Sequence, residues 1–494
     1  MGLPVGSTAQ AKKESGDWEL IMAKLVFSIM VVILFGLVPF FIKQRRLYFI
    51  GLACSLYVFS SGWIFYHFNG IMLGDVPIFA LLIMAVTSNR KLNFTIRPIG
   101  IPVLCMMGAF LISAIGAVRP GWVFSETTKY LRMYLLMIGL AANIRTIREL
   151  RVAVTGMLIG LLFEVILGIY QWRIGALGIW YLGERPAGKI TWRSMGTFFV
   201  PSFYANYLAM MLPLSFRLFA FYRAPSKRWT FFYSSLFFLG LIALYTTFGR
   251  GPWIGFMLAM VLMVMISAFK SRFKSRVRWT IPIFIVFALL FTARYGNSML
   301  TQFTSSRKAS TEIRFPQFRI AWRIIRANPI SGVGLGNYEQ KSFDYMTATE
   351  QRDPYVQVMG MMVHNIYLFI TAESGFLGGI CLLSWIISMF VACYRILFAK
   401  VIHDYIINVT MGLFGGIFAI AVIFTFSPDI HAYQILYQLG LFCGILYAMN
   451  RMTREALYQK RQKQMARIVR RDDSVRRNSG RSVSDEIRSV NNGA

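Results

Sequence analysis

Residues Asn365–Arg395 read NIYLFITAESGFLGGICLLSWIISMFVACYR, with one acid, Glu373, and no basic residue before the last position. An apolar helix needs about 20 residues to cross the hydrocarbon core of a bilayer, and this stretch is longer. Similar runs occupy 20–42, 47–67, 75–88, 98–117, 128–144, 152–171, 199–222, 229–248, 252–269, 279–293, 405–427 and 432–450. Two of them, 75–88 and 279–293, are short. The reading is an all-α polytopic membrane helix bundle with about 12–13 transmembrane helices.

Composition excludes the other broad classes. Hydrophobic types make up 56% of the 494 residues and charged types 15%, where an ordinary soluble domain carries about 25% charged. A water-soluble enzyme, a disordered protein and a disulfide scaffold cannot use so much apolar surface. The five cysteines all fall inside apolar runs without metal-ligand spacing and read as small apolar fillers.

The net charge of +31 does not point to nucleic acid, because the Lys and Arg residues stand in short blocks between spans. One set of alternate loops holds Lys43, Arg45 and Arg46, then Arg90 and Lys91, the trio Arg145, Arg148 and Arg151, Arg223 to Arg228, and Lys270 to Arg278. The tail from Arg451 joins this set, which with it contains most of the chain's 52 Lys and Arg. The positive-inside rule places that set in the cytoplasm. The expected organisation is a polar N-terminal segment over 1–18, a membrane domain over 19–450, and a basic tail over 451–494 expected to be disordered and attracted to anionic lipid.

Two longer segments then face outward, 172–198 and 294–363. Loops longer than about 15 residues are usually functional or disordered, and the second has the pattern of a folded one. Phe315, Phe318, Trp322 and Ile325 recur at helical spacing, opposite Arg319, Arg323 and Arg326, and Asn328-Pro329 ends the helix. This predicts a helix in the membrane–water interface or packed on the bundle, over the outer mouth in either case. The loop carries nine Lys or Arg against five acids, and 172–198 carries four against one, which breaks the positive-inside trend.

Arg250, in Phe248-Gly249-Arg250-Gly251-Pro252, sits at a tight outer break between two spans. Arginines converging on one mouth suit a phosphate or diphosphate, since the guanidinium fork binds it bidentately and stays charged. Of the four histidines, His67, His364, His403 and His431, His364 lies where the long loop enters the next span. An imidazole is the side chain best matched to accept a proton near neutral pH. His431 is the reserve. Glu373, nine residues after His364, falls on the opposite side of an ideal helix and is expected to pair with an arginine elsewhere. Glu164 is the clearest acid within a span, where a transport path or a helix–helix contact would place one. Gly332-Val333-Gly334-Leu335-Gly336-Asn337 follows a helix in an outer loop, so it reads as a tight turn and not as a dinucleotide fingerprint.

These elements in order resemble a known family. Arg193 with Gly196-Thr197-Phe198 and Pro201, then Thr247-Phe248-Gly249-Arg250-Gly251, then Arg314 through Pro329 with the Gly332–Tyr338 turn, then His364-Asn365-Ile366-Tyr367-Leu368 with Glu373-Ser374-Gly375 and Gly378, look like the O-antigen ligase and polymerase superfamily of bacterial envelope glycosyltransferases. The motifs span about 193–380. Gly249 stands where the family usually has Ser, and Ser202 where Asn is common, with Asn206 one turn later. The resemblance implies a metal-independent, inverting glycosyltransferase without a cofactor in the bacterial inner membrane, its active site on the periplasmic face. Its donor would be a glycan on undecaprenyl diphosphate. Its acceptor would be a glycan or a lipid-linked glycan, which distinguishes ligase from repeat-unit polymerase; transfer to protein is a third reading and a lipid-linked glycan transporter a fourth. Carried over by position, Arg250, Arg314 and Arg193 bind the diphosphate and His364 deprotonates the acceptor hydroxyl, with no metal site.

Overall fold

The computed structural model describes residues 44–57, 75–90, 95–174, 193–198, 200–269, 273–278, 314–352, 362–399 and 403–491, with a few isolated positions between them; side chains are described to residue 466, His431 excepted. The N-terminal segment 1–18, the expected span 20–42, most of 279–293, residues 58–67 of the run 47–67, most of 172–198 and the two ends of the long outer loop lie outside the described residues.

The protein is an all-α, multi-pass membrane protein. The membrane-domain helices are α1 Arg45–Leu56, α2 Asp75–Thr87, α3 Gly100–Ile112, α4 Pro120–Asn143, α5 Ile147–Ile174, α6 Pro201–Ala220, α7 Lys227–Thr246 and α8 Arg250–Phe269. The long loop contributes α9 Arg314–Ala327, α10 Tyr338–Ser342 and α11 Ala348–Arg352. The chain closes with α12 Ile366–Leu397, α13 Asp404–Ile423 and α14 Tyr433–Asn491. Among the described residues five helices, α5, α7, α8, α12 and α13, are long and apolar enough to cross a membrane by themselves.

Helix α6 is the centre of the bundle, packed on α7, α8 and α13. Its contact with α13 is close because small residues face it: a Cβ on Gly416 would stand 2.3 Å from the Met210 carbonyl oxygen, so backbones meet where lipid offers no hydrophobic drive. Polar side chains lock other helices together. Asp75 of α2 meets Arg132 of α4 at 3.3 Å and accepts the Tyr437 hydroxyl of α14 at 2.9 Å.

The two ends of the bundle differ in charge. At one end Arg46 and Arg90 approach Glu149 at 3.8 and 3.5 Å, Glu149 accepts the amides of Arg145 and Thr146 at the start of α5, and Arg451 donates to the Ile144 carbonyl at 2.7 Å. These residues come from the loops assigned to the cytoplasm. The opposite end gathers the start of α4, the end of α7 and the start of α8, and the long loop.

Helix α14 runs to Asn491, so its backbone extends into the basic tail. Two expectations need correction. In α9 the buried face is Gln317, Ile320, Ala321, Ile324 and Ile325, while Phe315 and Trp322 are exposed; the helix turns its arginine-flanked aromatics outward and packs a second stripe on α12. Finally, α12 is broken at Ser374 and Gly375, the latter at φ 68° and ψ −177°, a region essentially reserved for glycine. The break releases the carbonyls of Ala372 and Glu373, which accept the amides of Val333 and Gly334 at 3.1 and 2.9 Å, and the Phe376 amide donates to the Pro329 carbonyl at 2.8 Å. The glycine turn thus splices the outer loop into the backbone of a spanning helix. Glu373 Oε1 accepts the amides of Gly336 and Tyr338 at 2.9 and 3.3 Å.

Candidate active site

One wall of the site is the short segment Arg193–Phe198, held by two fully buried side chains of α5. Gln171 accepts the amides of Met195 and Gly196 at 3.0 and 2.8 Å and donates to the Gly196 carbonyl at 2.7 Å. Two turns earlier, Glu164 accepts the Thr197 amide at 2.9 Å and its hydroxyl at 2.6 Å. Glu164 is therefore an anchor for this segment. The segment in turn grips the end of α7: the Ser194 amide donates to the Thr246 carbonyl at 3.2 Å and Arg193 Nε to the Thr247 carbonyl at 3.0 Å. From there the chain turns through Phe248 at φ 53° and starts α8 at Arg250. The N-terminal end of the α8 dipole adds positive potential at that point.

Helix α9 supplies the facing wall. Arg314 opens it and Gln317, one turn on, is fully buried. Residues three apart share a helix face, so both belong to one stripe. His364 precedes α12, which Asn365 caps by accepting the Leu368 amide at 3.0 Å. His364 Nδ1 lies 3.1 Å from Gln317 Oε1. The turn after α13, Ser427–Asp429, closes the site, and Asn206 of α6 donates to Asp429.

All four sequence-predicted residues, Arg193, Arg250, Arg314 and His364, line one cavity of about 730 Å³, together with Ser202, Asn206 and Asp429 and the apolar side chains of Phe203, Phe248, Ile423 and Phe426. That volume suits a bound organic ligand. Three guanidiniums face one carboxylate among these lining residues, so the lining carries an excess of positive charge. Burial, then the charge of Arg250, push the Arg314 pKa below the ordinary arginine value, which places the two guanidiniums in mutual repulsion. Burial and the Arg314 charge lower the His364 pKa, against a smaller opposing effect of the Met362 backbone. The imidazole is thereby kept neutral and able to take a proton. Among the described residues no three His, Cys, Asp or Glu side chains gather into a metal-binding group.

The other loop arginines serve different ends. Arg323 forks onto Glu350 at 2.7 and 3.0 Å and donates to the Tyr345 carbonyl, Arg319 lies 3.7 Å from the same carboxylate, and Arg326 stacks over Trp322. Hydrogen bonding from Arg323 holds Glu350 down to about 2. These contacts fix α9 to α11. His403 caps α13 at the other end of the bundle by accepting the Tyr405 amide; His67 and the His431 side chain lie outside the described residues.

One cavity residue, Asp429, and one residue behind the cavity, Gln317, escaped the sequence reading. Asp429 passed as a neighbour of His431, yet it is buried in the cavity wall, and burial raises its pKa to about 6 against hydrogen bonds from Ser427, Asn206 and Ser202. Gln317 was hidden by the choice of the wrong stripe on α9. A polar residue in register with Ile320, Ala321 and Ile324 was the available signal.

Residues 235–383 match the family described as O-antigen ligase, a range that contains Arg250, Arg314, Gln317, His364 and Glu373 and stops short of Arg193 and Asp429. No curated protein matches the chain.

Proposed function

We propose, from the match of residues 235–383 to the O-antigen ligase family, that the chain transfers a glycan from undecaprenyl diphosphate to an acceptor sugar hydroxyl on the outer face of the inner membrane. The observation that carries this reading is the convergence of Arg193, Arg250, Arg314 and His364 on one cavity. Arg250 and Arg314 hold the diphosphate, with Arg193 as the third cation. The acceptor oxygen attacks the anomeric carbon from the side opposite the diphosphate. The bond from that carbon to the diphosphate oxygen breaks, the electron pair leaves with undecaprenyl diphosphate, and His364 takes the hydroxyl proton. The configuration inverts. Negative charge grows on the leaving phosphate as the bond breaks, and fixed guanidiniums stabilise it without reorganisation. No metal enters the scheme.

Ligase and polymerase differ in the acceptor, and the acceptor side of the site favours neither. A transporter reading finds less support, because Glu164 anchors Thr197 instead of marking a path through the membrane. The test is a transfer assay on purified protein with lipid-linked donor from the host cell, donor binding being measured in parallel. His364→Ala is expected to lose transfer by on the order of 10²–10⁴-fold while retaining donor, and His431→Ala to lose far less. Wild-type transfer by His364→Ala overturns the general-base role. In a deletion strain, complete unattached chains indicate a ligase and lipid-linked single repeats a polymerase.

A further inference from the structure

His364 carries the proposed chemistry only if a ring nitrogen with a free lone pair meets the acceptor hydroxyl, and imidazole has two nitrogens that exchange roles with the tautomer. The contact with Gln317 decides between them. Gln317 Oε1 lies 3.1 Å from His364 Nδ1, and the same oxygen lies 3.4 Å from the His364 backbone nitrogen. A backbone N–H can only donate, so the Gln317 atom facing it is the carbonyl oxygen and not the amide nitrogen. An oxygen facing Nδ1 requires Nδ1 to carry the proton. The orientation of the amide, ordinarily ambiguous, is thus fixed by the backbone. Gln317 is fully buried and its place is set by the packing of α9 on α12.

We infer that Gln317 is the positioning residue of the site, holding His364 as the Nδ1–H tautomer so that Nε2 is the nitrogen that accepts the proton. The inference rests on the reading of His364 as the general base. An amide has a further consequence that a carboxylate in the same place would not. A carboxylate on Nδ1 favours the imidazolium, whereas a neutral amide orients the ring and leaves its charge state to the surroundings. The charged groups around His364 are Arg314 on α9, Arg250 on α8, Arg193 on its segment and Asp429 in the turn after α13; on its own helix Tyr367 is committed to the Ala421 carbonyl at 2.8 Å. Of these, Arg314 opposes protonation of His364, in the same direction as burial. One helix therefore supplies both a diphosphate cation and the group that sets the tautomer of the base.

The experiment uses the full-length protein in detergent with diethyl pyrocarbonate, which modifies neutral imidazole. Modification of the His364 peptide is followed by mass spectrometry across pH, with His67, His403 and His431 as controls in the same samples, and transfer is assayed alongside. Gln317→Glu is expected to raise the His364 midpoint by on the order of one pH unit or more and to move the acid limb of kcat/KM by the same amount. Gln317→Leu, checked for an unchanged melting midpoint, is expected to lower kcat by on the order of tenfold or more with little change in donor KM. An unmoved His364 midpoint in Gln317→Glu, or full kcat in Gln317→Leu, overturns the inference. Wild-type transfer by His364→Ala overturns the general-base reading instead, and the modification midpoints still report on the Gln317 contact.

Discussion

Arg193 Nε donates to the carbonyl oxygen of Thr247 at 3.0 Å, three residues before Arg250. Two cations of the cavity are therefore coupled through one hydrogen bond, although they come from different loops. Arg193 both faces the cavity and steadies the turn that presents Arg250.

That coupling separates the arginines by substitution. Arg→Lys at Arg250 or Arg314 keeps a point charge and loses the fork, and each is expected to reduce transfer by on the order of 10²–10³-fold. Arg193→Lys also loses the Thr247 contact, so combining it with Arg250→Lys should cost less than the two single losses multiplied together. Rates of the two single variants and the double variant, measured in one assay, give the answer; strict multiplicativity would show that the two residues act independently.

The pH dependence has a definite sign. The His364 pKa lies below the ordinary histidine value, and a general base works in its neutral form, so the acid limb of kcat/KM is expected below pH 6.5. Bound diphosphate brings negative charge beside the ring and favours the imidazolium. The acid limb of kcat should therefore lie at higher pH than that of kcat/KM. Full pH profiles of both parameters test the order of the two limbs.

The break in α12 is a stability determinant. Gly375→Ala places a side chain in a glycine-only conformation, worth about 1–3 kcal/mol, and its Cβ would stand 2.1 Å from the Ile330 carbonyl oxygen. The expected result is a lower melting midpoint in detergent and loss of transfer, because His364 and the break that receives the glycine turn lie at the two ends of the first stretch of α12. A midpoint equal to wild type would show that the splice between loop and helix is dispensable.

Glu350 gives the outer loop an acid limit. Its folded carboxyl is held down to about 2, below the usual glutamate value of about 4.3. The stabilisation is therefore fully present above that usual value and is lost as the pH falls from there toward 2. Glu350→Gln should melt below wild type at pH 7, with the gap closing on acidification; paired melting curves over that range decide it.

Topology is tested with reporters. Fusions near Lys274 and after Arg471 are expected to read cytoplasmic, and one near Asp344 external. A cytoplasmic signal at Asp344 would invert the map and separate the cavity from an outward-facing lipid-linked donor.

Much of the fold was legible because spanning helices announce themselves by length. The runs 152–171, 229–248, 252–269 and 405–427 correspond to α5, α7, α8 and α13 within a few residues, since the bilayer admits few other conformations to an apolar stretch. The candidate residues were legible for a related reason. Arg250 is a charge placed where a span break makes charge expensive, and Arg314 was singled out by the family resemblance. The stripe of α9 was misread because Phe315 and Trp322 are apolar, and beside a membrane exposure does not exclude such residues.

By itself the sequence determined that this is a helical membrane protein with its basic loops at one end and a cluster of outer arginines beside His364. Those properties are local, set by hydropathy and by charges one loop apart. Only the tertiary structure decided that Arg193, Arg250, Arg314 and His364 share one cavity, that Asp429 joins them, that Glu164 anchors Thr197, and that a break in α12 receives the glycine turn. Such pairings join residues far apart in the chain through hydrogen bonds between buried groups. Their partners are chosen by packing, which no single stretch of sequence contains.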